Sequence, residues 1–264
     1  MKKIILSLFA IVLSISVANA WAVNSEVAVV MVAVQNLNPK TQKLVKKYLG
    51  KSFEDDIRYL YSKEVMQREG CSREIHYLHL DGNMRPMDVG ENDAYVAIEK
   101  AVKVLNSYKS QPKHEVVRAL RMLICLMNDI HHVKNVRIES IPYSQHDFTY
   151  RYRAAEIGKS KDKIASAKWS KLGSDYGDYP RGFSAEYRAK DMTIYLGDRF
   201  AEYSKGSLVD WIADNGAIAA YHLERLNPND VAPHMNMRVM GDVHYESMIK
   251  SSCRLAALLN ATLK

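Results

Sequence analysis

Hydrophobic positions along this chain recur mostly at helical spacing. Residues 25–36 (SEVAVVMVAVQN) are apolar on nearly every face, which predicts a buried helix with Ser25 as its N-cap. Asn38-Pro39 opens a second, amphipathic helix running to about Leu49, with Val45, Tyr48 and Leu49 turned inward and the lysines outward. Residues 92–108 carry Ala94, Val96, Ala97, Ala101, Val102 and Leu105 on a helical repeat. Residues 114–130 (HEVVRALRMLICLMNDI) are apolar nearly all round after the first turn, the mark of a central helix covered on most sides. Residues 206–226 and 243–262 predict two more long helices.

Residues 134–204 break this pattern. They are rich in Tyr, Lys, Asp and Gly, with short alternating stretches at Phe148–Arg153 and Met192–Leu196. They predict a long irregular segment with room for one hairpin, and a long loop inside a compact domain usually serves function or is an insertion. No repeat, low-complexity tract or linker divides the chain. The expected class is all-α: a single multi-helix domain with one long irregular segment.

The N-terminus has a different logic. Lys2 and Lys3 precede an apolar run from Ile4 to Val17, and Ala18-Asn19-Ala20 supplies a small-x-small cleavage pattern. That order predicts a signal peptide over residues 1–20, with export to the periplasm or beyond and a mature helical domain over 21–264 beginning at Trp21. The run is too short for a stable anchor, and no further stretch is long and charge-free enough to span a bilayer. Export permits one disulfide among Cys71, Cys125 and Cys253. Cys125 lies inside an apolar run, which leaves Cys71–Cys253 as the candidate pair. The chain has 37 basic and 30 acidic side chains, and losing Lys2 and Lys3 with the leader lowers its net charge from +7 to +5. A mildly basic monomer of this kind suits anionic partners such as nucleic acid or phospholipid.

The most informative chemistry is Cys125-x-x-x-Asp129-x-His131-His132. Residues four apart share a helix face, so Cys125 and Asp129 point the same way, and His132 extends that face. A thiolate, a carboxylate and an imidazole together form a legitimate zinc donor set. The competing reading is structural: Cys125 as a small core residue, Asp129 as a buried acid with a basic partner, and the histidines as a helix end. Ile75-His76-Tyr77-Leu78-His79-Leu80-Asp81 places a second pair of histidines three apart. The acidic run at Phe53–Asp56 reads as a solvated face. GxGxxG, GxxxxGK[ST], HExxH, GxSxG and CxxC are absent.

In order along the chain, Trp21 after the cleavage site, SEVAVVMVAVQNLNPKTQKLVKKYLG, IHYLHLDGN, ALRMLICLMNDIHH, SAKWSKL and WIADNGAIAA with SSCRLAALLN resemble one family. It is that of the exported zinc-dependent single-strand nucleases of fungi, plants and bacteria (nuclease S-one/P-one type), which share a fold with bacterial zinc phospholipase C. The resemblance implies a helical fold and three zinc ions that polarise a phosphodiester, supply a hydroxide and neutralise the leaving group. It implies an N-terminal Trp whose α-amine and carbonyl bind zinc, a position that Trp21 fills.

Position by position, the resemblance also implies losses. The next ligand, a His, is replaced by Glu26. An early Asp has no clean match near Lys63-Glu64. His76 matches the ligand of the His-Tyr motif. On the central helix the ligand His is replaced by Cys125, while Asp129 is kept. A following His falls at Asn135, and a last His and Asp around Trp169 fall at Ser166 and Ser170. Asn135, Ser166 and Ser170 are poor zinc donors, so one site is lost outright and the other two are reduced to Trp21, Glu26, His76, Cys125 and Asp129, with His131 or His132 as a substitute ligand. Lys161, Lys163 and Lys168 bring positive charge to the segment of the lost site. Each lost electrostatic contribution is worth ~3–4 kcal/mol, or ~10²–10³ in rate, so the expectation is a degenerate nuclease-type protein, weakly catalytic or non-catalytic. Its alternative is a phosphodiesterase working on single-stranded nucleic acid with one or two zinc ions. The Tyr- and Lys-rich segment 143–190 would offer rings for base stacking and cations for phosphates.

Overall fold

A computed structural model of the protein describes residues 23–50, 73–154, 163–172 and 184–264. These residues are mostly helical, with two small sheets. Trp21, Lys63-Glu64, Cys71, Lys161 and the acidic run at 53–56 lie outside them.

Helix α1 (Val23–Gln35) begins two residues before the expected cap, so Ser25 sits inside it and is fully buried. Its apolar faces serve two cores. Val30 and Ala33 join the main one, while Ala28, Val29 and Val32 join a second. A helix covered on both sides needs no polar stripe, which is why its sequence shows none. Helix α2 (Pro39–Leu49) starts where Asn38 accepts the Thr41 N–H at 2.9 Å, with Pro39 in the first turn. Helix α3 (Ala94–Asn106) is capped by Asp93 and packs along α4 (Lys113–Asp129), the central helix, whose last two turns are wholly buried.

Strand β1 (Leu78–Leu80) pairs in parallel with β2 (Val136–Ile138), and Leu78, Leu80, Val136 and Ile138 fill the core beneath. Strand β3 (Thr149–Ala154) pairs antiparallel with β4 (Lys163–Lys168) and parallel with β5 (Val231–Ala232). The expected hairpin is therefore present, widened into a three-stranded sheet by a distant strand.

Residues 192–196 do not extend a strand. They end helix α5 (Ala185–Leu196), which opens at Ser184, whose hydroxyl accepts the Tyr187 N–H at 3.3 Å. The reason is spacing. Ala185, Ala189, Met192 and Leu196 repeat every three or four residues and bury one face, while Tyr187, Ile194 and Tyr195 stay exposed. That longer period outweighs the local alternation.

A single-turn helix α6 (Phe200–Tyr203) leads to α7 (Leu208–Arg225), which opens on a capping box of Ser207 and Asp210. Helix α8 (His234–Thr262) is longer than its sequence pattern indicated and lies against α1 and α4. No helix among the described residues is long and apolar enough to cross a membrane. Cys253 is a free, fully buried thiol in the second core, packed with Met248 and Ile249.

Gly216 fixes how α7 meets β1. A methyl group there would stand 2.6 Å from Leu80 Cδ1 and 3.2 Å from Met84 Sδ. Leu80 is fully buried and has little room to turn away. Gly216→Ala is expected to destabilise the protein by about 1–3 kcal/mol despite alanine's better helix propensity. An unchanged urea midpoint would show that α7 slides freely on β1.

Candidate metal centre

The last two turns of α4 place Cys125 and Asp129 one turn apart on the same face, both only 2% exposed. Opposite them is His76, the last residue of a 3-10 turn (Arg73–His76) just before β1. Its Nδ1 lies 2.7 Å from Asp129 Oδ2. The Cys125 thiol donates to the same oxygen at 3.6 Å. The other oxygen, Oδ1, accepts Asn135 Nδ2 at 3.0 Å. One ligand atom from each of His76, Cys125 and Asp129 lies within 4.8 Å of the others. Among the described residues this is the group of histidine, cysteine and acid side chains that converges closely enough for one ion.

The donor set is one that a transition metal, zinc among others, can accept. An imidazole nitrogen, a sulfur and a carboxylate oxygen would bind at about 2.0–2.3 Å, leaving a fourth position open. The His76–Asp129 hydrogen bond would have to open slightly to admit an ion. Without one, the same three groups and Asn135 satisfy one another by hydrogen bonding.

The charge here was not foreseen. Lys134 is only 5% exposed and donates from Nζ to the Ser170 carbonyl at 3.2 Å. Burial pulls its pKa down to about 8; the carboxylates of Glu26 and Asp129 oppose that fall, Lys171 adds to it and Asp147 opposes it. Glu26 is fully buried on α1, so an acid, a lysine and the Asp129 cluster share one interior region. By contrast, Lys163 and Lys168 are exposed on β4, with Lys168 3.9 Å from Asp147. The lysine buried beside this group is therefore Lys134, not the described lysines of the sheet.

Ser166 is exposed on β4 opposite Arg151. Ser170 uses its N–H and hydroxyl on Asp147 at 2.8 and 2.9 Å, and its carbonyl on Lys134. Trp169 between them is buried and stacked on Phe148, 5.3 Å between ring centres.

His131 and His132 turn away from the group. His131 donates Nδ1–H to Met127 O at 2.7 Å, which makes Nε2 the acceptor for Arg254 Nη1 at 3.1 Å. Burial and the Arg254 charge push its pKa down to about 3. His132 accepts the Lys134 N–H on Nδ1 at 3.3 Å, and its ring centre lies 5.5 Å from that of His244. His244 in turn stacks on His222 of α7 at 5.5 Å. His132, His222 and His244 are buried, and burial lowers the pKa of each: His222 to about 4, His244 to about 3, His132 well below its usual range. The sequence carried no local sign of this row, because its members come from separate elements.

No protein-family model matches the chain, and a search of curated proteins finds no relative.

Proposed function

We propose that this is an exported helical protein of the zinc-dependent single-strand nuclease type whose centre is reduced to one metal, and that it hydrolyses phosphodiesters weakly or not at all. The observation that carries the reading is the convergence of His76, Cys125 and Asp129 on one point. The sequence motifs described above supply the resemblance to that family, and the mostly helical architecture is compatible with it.

When bound, a zinc ion would supply a Lewis acid and a site for water. His76, Cys125 and Asp129 would hold it, and Asn135 orients the carboxylate through Oδ1. Lys134 adds a fixed positive charge near the position of lost metal charge. An ammonium can neutralise a phosphate, but it cannot generate a hydroxide, which is why the reading is weak hydrolysis. The outer face of the β3–β4 sheet, with exposed Arg151, Arg153 and Lys168, would offer phosphate partners to a single strand, whereas Tyr150 is buried and Tyr152 packs on the core, so the tyrosines of this sheet are not a stacking surface for bases.

The test is metal content. Protein purified without chelators is expected to hold one zinc per chain by elemental analysis. Cys125→Ser is expected to weaken zinc binding by at least tenfold, since a thiolate outranks a hydroxyl as a zinc ligand. A metal-free protein after zinc loading would sink the reading. Rapid zinc-dependent cleavage of single-stranded DNA would favour the phosphodiesterase alternative.

A further inference from the structure

His79 and Arg137 occupy a second polar site, separate from the metal group. They are partners across the parallel β1–β2 ladder. Side chains alternate along a strand, so with Leu78, Leu80, Val136 and Ile138 turned into the core, His79 and Arg137 share the opposite face. That face lines a cleft of about 400 Å³, closed by His146 from the turn after Ile141 and by the apolar side chains of Met87 and Val89.

The two basic groups are held in place. Asp93 is fully buried and accepts both the His79 backbone N–H and His79 Nδ1 at 3.0 Å. Its other oxygen caps α3 through the Tyr95 N–H at 2.7 Å, so the carboxylate cannot swing away. Because a carboxylate only accepts, Nδ1 carries the hydrogen, and Nε2 is the atom the ring offers to a ligand. The Arg137 guanidinium lies 4.0 Å over the Tyr77 ring and donates Nη1 to Lys134 O at 3.0 Å. Arg137 stays charged at any working pH, and its planar fork suits a phosphate. Glu139, one residue past the end of β2, also lines the cleft, but it is exposed and can turn to solvent.

We propose that this cleft binds the phosphate group of a small phosphate monoester, independently of any metal. Arg137 supplies the permanent charge. His79, held by Asp93 through Nδ1, presents Nε2 to the phosphate group. His146 closes the anion from the exposed side, and Met87 and Val89 cover the apolar part of the ester.

The test is calorimetric titration of the EDTA-treated full chain at pH 6 and low salt, with phenyl phosphate as probe and benzoate as comparison. Saturable one-to-one binding of phenyl phosphate is expected, with His79→Ala weakening it about tenfold or more and His146→Ala about threefold. His146 is exposed, so its variant tests the cleft even if His79→Ala disturbs the fold. Binding that vanishes with EDTA, that both variants leave unchanged, or that benzoate matches would overturn the proposal.

Discussion

Acidification from pH 7 to pH 5 is expected to remove about 8 kcal/mol of stability and unfold the protein. The cause is four histidines held neutral in the interior: His131, His132, His222 and His244. Their folded pKa values lie below the unfolded value near 6.5. The unfolded chain therefore binds more protons over the interval, and stability falls as pH drops below 6.5. The loss continues until the folded values are reached, at about 4 for His222 and about 3 for His131 and His244. Each buried histidine costs about 1.4 kcal/mol per pH unit in that window.

Four such groups together match the whole stability of an ordinary domain, about 5–15 kcal/mol. The charges near them do not help. Arg254 bears on His131, Lys134 on His132 and His244, and Arg225 on His222, and each disfavours a second positive charge. Asp214 opposes this at His131 only weakly. Circular dichroism and tryptophan fluorescence between pH 7 and 4 should show one cooperative transition with its midpoint between about pH 5 and 6. His244→Leu should move that midpoint downward. A native spectrum retained at pH 4.5 would refute the assignment.

Asp129→Asn is expected to cost about 3 kcal/mol and to abolish zinc binding. Asp129 is the shared acceptor of His76, Cys125 and Asn135. An amide has one accepting oxygen in place of two and brings two donors of its own, so it cannot accept from all three. The substitution also removes a carboxylate that favours the charged form of Lys134, so the lysine's pKa should fall further below about 8. Urea denaturation at pH 7 measures the stability loss, and titration with zinc measures the second effect. A variant within 1 kcal/mol of the parent that still binds zinc would show that the carboxylate is not the hub.

The two outcomes separate two interior regions. The histidine row answers to protons. On the proposed reading the His76–Cys125–Asp129 group would answer to metal, and Lys134 lies beside both. Zinc added at pH 7 should raise the melting temperature of the parent and leave that of Asp129→Asn unchanged, because only a species that binds the ion gains from mass action.

Much of the helical frame was legible in the chain. The 3.6-residue period located α2, α3, α4 and α7 closely, because each buries one face or stripe and the apolar residues must follow it. The same period placed Cys125 and Asp129 together. It failed at residues 192–196, where a few alternating residues resembled a strand until the spacing of Ala185, Ala189, Met192 and Leu196 was read over the whole helix. The third member of the metal group, His76, lies 53 residues from Asp129. Beforehand it was marked by its spacing from His79 and by its resemblance to a His-Tyr motif, and neither tied it to Asp129.

What the sequence determined by itself was local: where helices run, which residues share a turn, and which segment carries the lysines and tyrosines. The tertiary structure decided which charges are buried and what they face. Lys134 follows two histidines at a helix end and looks like a solvent residue, yet the 3-10 turn at Val133–Asn135 packs it inside, against Glu26 and Asp129. His132, His222 and His244 form a row only because α7 and α8 bring distant positions together. Periodicity reports one element's own faces, whereas the cost of burying a charge depends on neighbours contributed by other elements. That is why the donors on α4 could be read in advance and their electrostatic surroundings could not.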